Sequence, residues 1–358
     1  DTHLQSVFFD LHTETLNELN APFYTRWIRY TFGNSDLTQN LQDLTQKLQN
    51  CWNKTYPKAT ASLNAALPAV NTLTADDCEN HNGNGNNRPF WAKVFHQTMF
   101  AARNGFLVGK EKVELDKNTQ RYMQEHTEVM RPEPLLANNK VYPSTKVQVL
   151  YGDCVEVGLK LKREGYRPVV LNMANESSPG GGVKDGSRAQ EESICRRSDY
   201  MLALDPKNNP HLKKQMPLFS YYNIPTDGVI YTPCVQIFRE ESSGGFSFKH
   251  PQTLDFIASA AHDTKRVGRA ANYVQMTEEK IRAQLRAAFA RGNDTIVLSA
   301  FGCGAFGNDP KEVADIYAKV LKEPEFAGKF RKIVFAIIDD RNGTNYRPFY
   351  RKLHGIVI

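Results

Sequence analysis

The sequence predicts an α/β domain of three layers, with helices on both faces of a mostly parallel sheet, after a mostly helical N-terminal extension. The main observation is an alternation, from about Ser144 onward, of short β-branched runs with stretches of helical periodicity. We place the boundary between the extension (1–142) and the α/β domain (143–358) at this change. The predicted strands are Val147–Tyr151, Pro168–Met173, Val229–Phe238, Leu254–Ala260, Thr295–Phe301 and Lys332–Ile338, and the clearest helices between them are Glu278–Arg291 and Lys311–Leu321.

The extension is rich in Asn, Gln and Thr, and its apolar residues recur at helical spacing. Two helical faces stand out, one over Leu37–Trp52 and the other over Phe90–Ala102. The polar, glycine-spaced segment Glu79–Asn87 between them is typical of a surface loop. We expect both helices to pack inward against the α/β domain, and we hypothesise that the loop faces a protein substrate.

The composition excludes several classes of protein. With 41% hydrophobic and 23% charged residues, the 358-residue chain is neither disordered nor fibrous, and it has no apolar stretch long enough for a membrane helix. The net charge of +6 suits an anionic ligand, but no basic, aromatic-interleaved patch predicts nucleic-acid binding.

The six cysteines form no C-x-x-C pair and have no His at ligand spacing, so we expect no metal, no other cofactor and a reducing, cytoplasmic setting. The first ten residues carry no basic cluster followed by an apolar run, so we expect no signal peptide there.

A glycine-rich loop follows directly on the predicted strand Pro168–Met173. It contains Asn175 and then the adjacent glycines Gly180, Gly181 and Gly182. Three adjacent glycines cost backbone entropy, so they imply positive φ angles or the close approach of another group to the main chain. Backbone amides released in such a loop form anion-binding concavities, whereas an isolated glycine triplet is more often a flexible turn.

An acidic pair lies seven residues beyond the glycines, in the run Gln190-Glu191-Glu192 that opens the helical stretch Ser193–Leu204. Two acidic residues in the first helical turn interact favourably with the helix dipole, and this alone is a sufficient structural role. Beside a glycine-rich ligand loop, however, burial raises the pKa of a carboxyl group. Such a group can donate a proton to a leaving oxygen and later accept one from water.

A second glycine-rich loop, Phe301–Pro310, also follows a predicted strand. Asp309 can cap the next helix and Pro310 fits its first position, so the loop leads into a helix N-terminus, a common arrangement for holding phosphates. Phe306 is either a buried anchor of the loop or a platform for a sugar ring, and the sequence favours neither. Cys303 has no His in a recognisable relation to it, which favours a packing residue over a nucleophile.

A third feature is Gly152-Asp153, at the end of the predicted strand Val147–Tyr151. An exposed Asp at a strand end can accept a hydrogen bond from an adenine amino group, although most such residues cap helices. Taken alone, this pair does not decide between the two roles.

Together these segments resemble the catalytic domain of the microbial-type poly(ADP-ribose) glycohydrolases, a branch of the macrodomains. The family signature is three glycines, a short spacer and Gln-Glu-Glu, and this chain matches it with Gly180–Gly182, seven residues and Gln190–Glu192. The resemblance extends from about Lys146 to Leu353. It also includes Val170–Asn172, Ser193–Ser198, Gly302–Pro310 and Val334–Asp339.

The resemblance implies a role for each residue of the site. Glu192 corresponds to the catalytic acid, Glu191 to the residue that holds the ribose hydroxyls beside the scissile bond, and Asn175 to a contact of the distal ribose. Asp153 corresponds, more loosely, to the Asp that binds adenine in macrodomains. The diphosphate is expected between the two loops, and the remaining ligand contacts are Gly180, Gly181, Gly182, Gln190, Gly302, Gly304, Ala305, Phe306, Gly307 and Asn308.

The implied function is that of an ADP-ribosyl hydrolase, a glycosidase that cleaves the ribose glycosidic bond of poly(ADP-ribose) or of ADP-ribosylated protein. Glu192 protonates the departing oxygen, the ribose C1″ passes through an oxocarbenium-like state while Phe306 orients the distal ribose, and water attacks. The alternative is a reader macrodomain that binds ADP-ribose without cutting it, and the Glu191–Glu192 pair argues against this. A dinucleotide-dependent dehydrogenase is disfavoured because no G-x-G-x-x-G motif follows the first strand of the α/β region.

Overall fold

The computed structural model describes residues 88–137, 140–217, 221–242, 245–339 and 343–358. Its strands are β1 (Phe106–Val108), β2 (Glu111–Val113), β3 (Glu128–Met130), β4 (Lys146–Tyr151), β5 (Pro168–Met173), β6 (Val229–Arg239), β7 (Phe248–Ser259), β8 (Thr295–Leu298) and β9 (Lys332–Ile337). Its helices are α1 (Arg88–Asn104), α2 (Lys117–Glu125), α3 (Cys154–Arg163), α4 (Gln190–Arg197), α5 (Met201–Leu204), α6 (Pro210–Gln215), α7 (Thr264–Val267), α8 (Tyr273–Ala290), α9 (Pro310–Leu321) and α10 (Tyr346–Leu353), and a short 3-10 helix spans Val183–Asp185.

A seven-stranded mixed sheet forms the centre of the fold, with its strands in the order β3-β6-β7-β5-β8-β9-β4. The strands β7, β5, β8, β9 and β4 are parallel to their neighbours, whereas β6 runs antiparallel to both β7 and β3. The strands β1 and β2 form a separate antiparallel pair. Because β5 and β8 are adjacent and parallel, the loops that follow them open at the same edge of the sheet.

The side chains of β5 alternate between two hydrophobic cores, one on each face of the sheet. Val169 and Leu171 belong to the core that α8, α9 and α10 cover, whereas Val170 belongs to the core that α1 to α6 cover. All three side chains are fully buried, as expected for a strand in the middle of a sheet with helices on both faces. The predicted three-layer α/β/α architecture is therefore confirmed. By the same alternation, Asn172 shares the face of Val170.

The helix that follows β8 begins as the sequence predicts. The Asp309 carboxylate accepts hydrogen bonds from the backbone amides of Lys311 (2.8 Å) and Glu312 (2.9 Å), and Pro310 occupies the first turn of α9. The N-cap fixes the point at which the second glycine-rich loop ends.

Most predicted element bounds agree with the structure to within a few residues. The strand predicted at Leu254–Ala260 is longer, because β7 begins at Phe248 and continues a long antiparallel pairing with β6. The strand predicted at Thr295–Phe301 ends at Leu298, because the chain from Phe301 already turns.

Two predictions differ from the structure in kind. Glu128–Met130, placed by the sequence in a helical extension that ends at residue 142, is the edge strand β3 and pairs with β6. The helical run predicted over Ser193–Leu204 is interrupted, because Ser198 adopts an extended conformation (φ −147°, ψ 171°) and bridges to Ile237 of β6. The stretch is therefore two helices, α4 and α5, and the turn between them is held by the sheet.

The part of the extension that the structure describes contains the predicted helix over Phe90–Ala102, which is α1 and buries Val94, Phe95 and Met99. The predicted helix Leu37–Trp52 and the loop Glu79–Asn87 lie outside the described residues and stay predictions. Among the described helices, none is long and apolar enough to cross a membrane.

Candidate active site

The first glycine-rich loop is shaped by its own glycines. Gly180 and Gly181 have φ angles of 74° and 56°, in the region that side chains other than glycine rarely adopt. A Cβ atom at Gly181 would lie 2.5 Å from the Oε1 atom of Glu192, so this position has no room for a side chain. The prediction of positive φ and close approach is confirmed, and the group that approaches the main chain is a carboxylate of the protein itself.

The Glu191 carboxylate is held by three donors. Its Oε2 atom accepts from the backbone amide of Asn175 (2.8 Å), and its Oε1 atom accepts from the amide of Gly180 (3.2 Å) and from the Asn172 side chain (3.3 Å). The residue is 3% exposed. Asn172, the next-to-last residue of β5, thus orients the first glutamate of the pair with its polar side chain.

Glu192 is held differently. Its Oε1 atom accepts one hydrogen bond, from the backbone amide of Gly182 (2.9 Å). Its Oε2 atom is buried and has no hydrogen-bond partner among the described residues. The two neighbouring carboxylates therefore share the same loop, but only Glu192 keeps an oxygen that no protein group engages.

Burial raises the pKa of Glu191 to about 8, and the nearby charge of Glu192 adds to the rise. The donated hydrogen bonds from Asn175, Asn172 and Gly180 act in the opposite direction. A carboxyl group of this kind exchanges a proton near neutral pH, as the position of the pair beside a glycine-rich loop predicts.

In the structure the amides of the three glycines and the side chain of Gln190 make hydrogen bonds within the protein. The amide of Gly181 donates to Ser178 (3.0 Å), and those of Gly180 and Gly182 donate to the glutamates, so all three amides are engaged within the protein. Two of the three amides hold carboxyl groups, and the diphosphate contact expected of the glycines stays a prediction. The Gln190 side chain accepts from the amide of Met173 (2.8 Å) and donates to the carbonyl of Leu171 (2.6 Å), so it ties α4 to β5 rather than reaching out of the loop.

Asn175 is partly buried and shapes the start of the same loop. Its Oδ1 atom accepts from the amides of Ser177 (3.0 Å) and Ser178 (2.9 Å), which closes a tight turn. Its own amide holds Glu191, so the residue connects β5 to the acidic pair.

The second glycine-rich loop has a different arrangement. It is anchored by α7, because the carbonyl of Phe306 accepts from the Lys265 amide (3.2 Å) and from the Thr264 hydroxyl (2.8 Å). The backbone amides of Gly304, Ala305 and Phe306 donate no hydrogen bond to any described residue. This loop, at the end of the strand next to β5, therefore supplies the free donors that an anionic ligand requires.

Other residues of the second loop pack against protein groups, and the ligand contacts expected of Gly302, Gly307 and Asn308 stay predictions. Gly302 (φ 74°) has no room for a Cβ because the Asn308 side chain lies against it, and Gly307 (φ 71°) lies against the Lys265 side chain. Burial raises the pKa of the Cys303 thiol to about 12, which agrees with a packing residue rather than a nucleophile. Phe306 is half-buried and has no aromatic ring contact with a described residue, so it is neither a deep anchor nor fully exposed.

Asp153 caps α3 and accepts from the amides of Val155 and Glu156, both at 3.0 Å. It also pairs with the fully buried Arg197 guanidinium (2.8 Å). No described contact joins Asp153 to either glycine-rich loop. Its observed contacts are those of the helix-capping alternative, while the adenine-binding role stays a prediction.

Three residues next to the acidic pair were not singled out from the sequence. Asn172 has one signal, because it is a polar residue in an otherwise apolar central strand. Arg196 and Trp91 have none, because their contact brings together α4 and a helix roughly a hundred residues earlier. Among the described residues, no group of three His, Cys, Asp or Glu side chains could hold a metal ion.

The described α/β fold is similar to that of solved poly(ADP-ribose) glycohydrolases, and part of the sequence matches a family model. Residues 96–240 match the model of the family described as microbial-type PARG, catalytic domain. The structure is similar to the poly(ADP-ribose) glycohydrolase of Thermomonospora curvata, with a TM-score of 0.62 and 27% identity over 74% of this chain and 99% of that one. No curated protein matches the sequence.

Two ligand complexes are among the similar structures. The T. curvata enzyme bound to the inhibitor ADP-HPD has a TM-score of 0.61 and 28% identity, over 74% of this chain and 99% of that one. The Deinococcus radiodurans poly(ADP-ribose) glycohydrolase in complex with ADP-ribose has a TM-score of 0.55 and 27% identity, over 67% of this chain and 98% of that one. These matches confirm the resemblance drawn from the sequence.

Proposed function

We propose that the protein is an ADP-ribosyl hydrolase that binds ADP-ribose and cleaves the ribose glycosidic bond of poly(ADP-ribose) or of ADP-ribosylated protein. The observation that carries the proposal is the pair of hydrogen bonds from the glycine loop to the acidic pair, Gly180 to Glu191 and Gly182 to Glu192. A protein that only reads ADP-ribose has no need of two buried, individually oriented carboxyl groups at this edge of the sheet. The similarity to enzymes solved with ADP-ribose and with ADP-HPD supports the same function.

We assign the general acid to Glu192. Its Oε1 atom is fixed by Gly182, and Oε2 is the oxygen without a protein partner, so Oε2 is where a transferable proton would be carried. In the reaction this proton passes to the departing glycosidic oxygen, the bond from that oxygen to C1″ breaks, and positive charge develops on the ribose. Water then attacks C1″ and returns a proton to Glu192.

We assign a positioning and electrostatic role to Glu191. Its carboxylate accepts three hydrogen bonds, which leaves about one of roughly four acceptor positions for a ribose hydroxyl. In its ionised form this buried group stabilises positive charge on the sugar more strongly than it would in water.

We assign the diphosphate to the second loop. The unengaged amides of Gly304, Ala305 and Phe306 can donate to phosphate oxygens, and the loop is held in place from behind by α7. The half-buried ring of Phe306 then supports the distal ribose, and its partial exposure fits this role.

The substrate class and the compartment are part of the proposal. Polymer and protein-linked ADP-ribose present the same distal ribose to Glu192, and they differ only beyond the scissile bond. We also propose a reducing, cytoplasmic setting, which fits the free thiols of the four described cysteines.

Incubation of the full chain with poly(ADP-ribose), and separately with mono-ADP-ribosylated protein, tests the function. Free ADP-ribose, measured by mass spectrometry, is the expected product from at least one of them. Isothermal titration in parallel should detect ADP-ribose and give a much weaker signal for adenosine. Binding of ADP-ribose without release from either substrate would favour the reader function instead.

A further inference from the structure

Helix α1 contacts the helix of the acidic pair through the Trp91 ring, which lies close to two guanidinium groups. The guanidinium of Arg196 lies 5.2 Å from the centroid of the Trp91 ring, and that of Arg188 lies 4.7 Å from it. The edge of the same ring packs on Phe246, with centroids 5.4 Å apart. A cation over the face of an aromatic ring is attracted to the ring, and the attraction is stronger when the cation is desolvated.

Arg196 is an unusual residue to find inside the protein. It is 2% exposed, no described carboxylate lies within ion-pair distance of it, and its Nε atom has no partner among the described residues. Burial lowers its pKa to about 10, and the charge of Glu192 opposes this. A buried cation with so few partners is costly to maintain, so a gain elsewhere must offset its cost.

The hydrogen bonds of Arg196 connect it, through the glycine-rich loop, to Glu192, which lies one helical turn earlier in α4. Its Nη1 atom donates to the carbonyl of Ser187 (2.6 Å), and the Ser187 amide donates to the carbonyl of Gly182 (3.0 Å). The Ser187 side chain also fills the space that a Cβ at Gly182 would need. Since the Gly182 amide holds Glu192, these bonds close a ring from α4 through the loop and back to α4.

Helix α1 contacts this closed set of hydrogen bonds at two further positions. The Thr98 hydroxyl donates to the backbone carbonyl of Arg196 (2.6 Å), and the Arg88 backbone packs so closely on Gly186 (φ 75°) that no side chain fits there. Helix α1 thus supports the loop through these contacts.

We propose that Arg196 and Trp91 are positioning residues for the Glu192 carboxyl group. Trp91 holds the Arg196 guanidinium, the guanidinium holds Ser187, and Ser187 fixes the glycine whose amide orients Glu192. The inference rests on the proposed function, because the position of Glu192 matters for catalysis only if this residue is the acid.

The test compares four variants of the full chain: Trp91→Leu, Trp91→Phe, Arg196→Met and Arg196→Lys. Trp91→Leu and Arg196→Met should lower kcat on poly(ADP-ribose) on the order of 10- to 100-fold, because displacing a catalytic group by less than 1 Å costs rate steeply. KM, and the Kd of ADP-ribose by isothermal titration, should change less than about threefold. Trp91→Phe keeps an aromatic face and should recover most of kcat. Arg196→Lys keeps the charge but not the planar fork, so its rate should be intermediate.

Tyr166→Leu is the matched control. Tyr166 is also half-buried under a stacked guanidinium, that of Arg331 at 4.3 Å, but it precedes β5 and lies at the other end of the strand from Asn172. This variant should lower the melting temperature and leave kcat unchanged. All rates are measured well below the lowest melting temperature of the set.

A second readout is independent of catalysis. Amide hydrogen exchange of the peptide that spans residues 180–188 should be at least about tenfold faster in Trp91→Leu and Arg196→Met than in the parent and in Tyr166→Leu. Unchanged exchange, or a Trp91→Phe variant as slow in turnover as Trp91→Leu, would overturn the positioning role. If the parent releases no ADP-ribose, the proposed function fails, and the exchange data alone still decide whether this contact holds the loop.

Discussion

The two glycine-rich loops have similar composition, adjacent positions and different hydrogen bonding. In the first, the amides of Gly180, Gly181 and Gly182 are all engaged within the protein, two of them by glutamates. In the second, the amides of Gly304 and Ala305 donate to no described residue. Both loops follow parallel strands that are neighbours in the sheet. Glycine therefore allows a close approach to the main chain in both loops, but the approaching group differs: carboxyl oxygens at Gly181, and the Asn308 and Lys265 side chains at Gly302 and Gly307.

This difference in hydrogen bonding indicates different roles for the two loops. Carboxyl groups of the protein occupy the first loop, and we propose that this loop orients the catalytic groups. We propose that the second loop keeps its donors for the ligand. Changes in the first loop should therefore affect rate, whereas changes in the second should affect how the ligand is held.

The largest effect is expected for Glu192→Gln. The amide side chain still accepts the Gly182 hydrogen bond but cannot supply a proton, so kcat should fall roughly 10²- to 10⁴-fold while ADP-ribose binding stays nearly intact. Steady-state rates and titration calorimetry on the same preparation measure the two quantities. A Glu192→Gln variant with the parent rate, beside a Glu191→Gln variant without activity, would reverse the assignment of the two glutamates.

The next effect is that of Gly181→Ala. The new methyl group would meet the Glu192 Oε1 atom at 2.5 Å, at a φ angle of 56°, so the carboxylate must move and kcat should fall on the order of 10- to 100-fold. Gly292→Ala is the matched control, because Gly292 also has a positive φ (75°) but has open space around it. The control should lose about 1 kcal/mol of stability and keep the parent rate. Equal rates for both variants would show that the close approach at Gly181 is unimportant for catalysis.

The third prediction concerns the pH dependence of stability. Burial raises the pKa of Glu191 to about 8 from a usual value of 4.5, so between these values the native state holds a proton that the unfolded chain has released. Stability conferred by this group is complete below about pH 4.5 and is lost as the pH rises toward 8, by up to about 1.4 kcal/mol per pH unit. Glu191→Gln lacks this dependence. Urea unfolding of both proteins at about pH 5, 6, 7 and 8 should show their difference in free energy changing in favour of the variant, and a constant difference would mean that Glu191 is ionised throughout.

The sequence predicted the parts of the fold that depend on local patterns. The largely apolar strand β5, the Asp309–Pro310 helix start and the glycine positions with positive φ all follow from the preferences of single residues, and the structure confirms them. The interruption at Ser198 does not follow from such preferences, because it depends on a bridge to Ile237, which is far along the chain. The same is true of β3, a three-residue strand whose identity depends on its pairing with β6.

The candidate site was predictable in its residues and less so in its hydrogen bonds. The spacing of the glycines and the acidic pair placed Glu191 and Glu192 beside the loop, as observed. Whether a backbone amide is free or engaged depends on three-dimensional geometry, so the engaged amides of Gly180–Gly182 could not be foreseen. The support from Trp91 lies on α1, which the sequence assigned to an extension, and a deletion of residues before 143 is expected to disturb catalysis for this reason.

The smallest effect, and the one that tests the second loop, is that of Phe306→Ala. The ring is half-buried and the Phe306 carbonyl, not its side chain, makes the contacts to α7, so the substitution should leave the loop anchored. Ligand binding through the backbone amides should then change less than about threefold in Kd. If the ring orients the distal ribose, kcat on poly(ADP-ribose) should nevertheless fall on the order of tenfold, because a reacting group that is free to rotate spends less time in the reactive pose.

Rates and titrations with Phe306→Ala and Phe306→Leu separate the effect of side-chain bulk from that of the aromatic ring, since Leu restores bulk without a flat face. An unchanged kcat in both would return Phe306 to a packing role, and a loss of affinity equal to the loss of rate would show that the loop holds the ligand through this ring rather than through its amides.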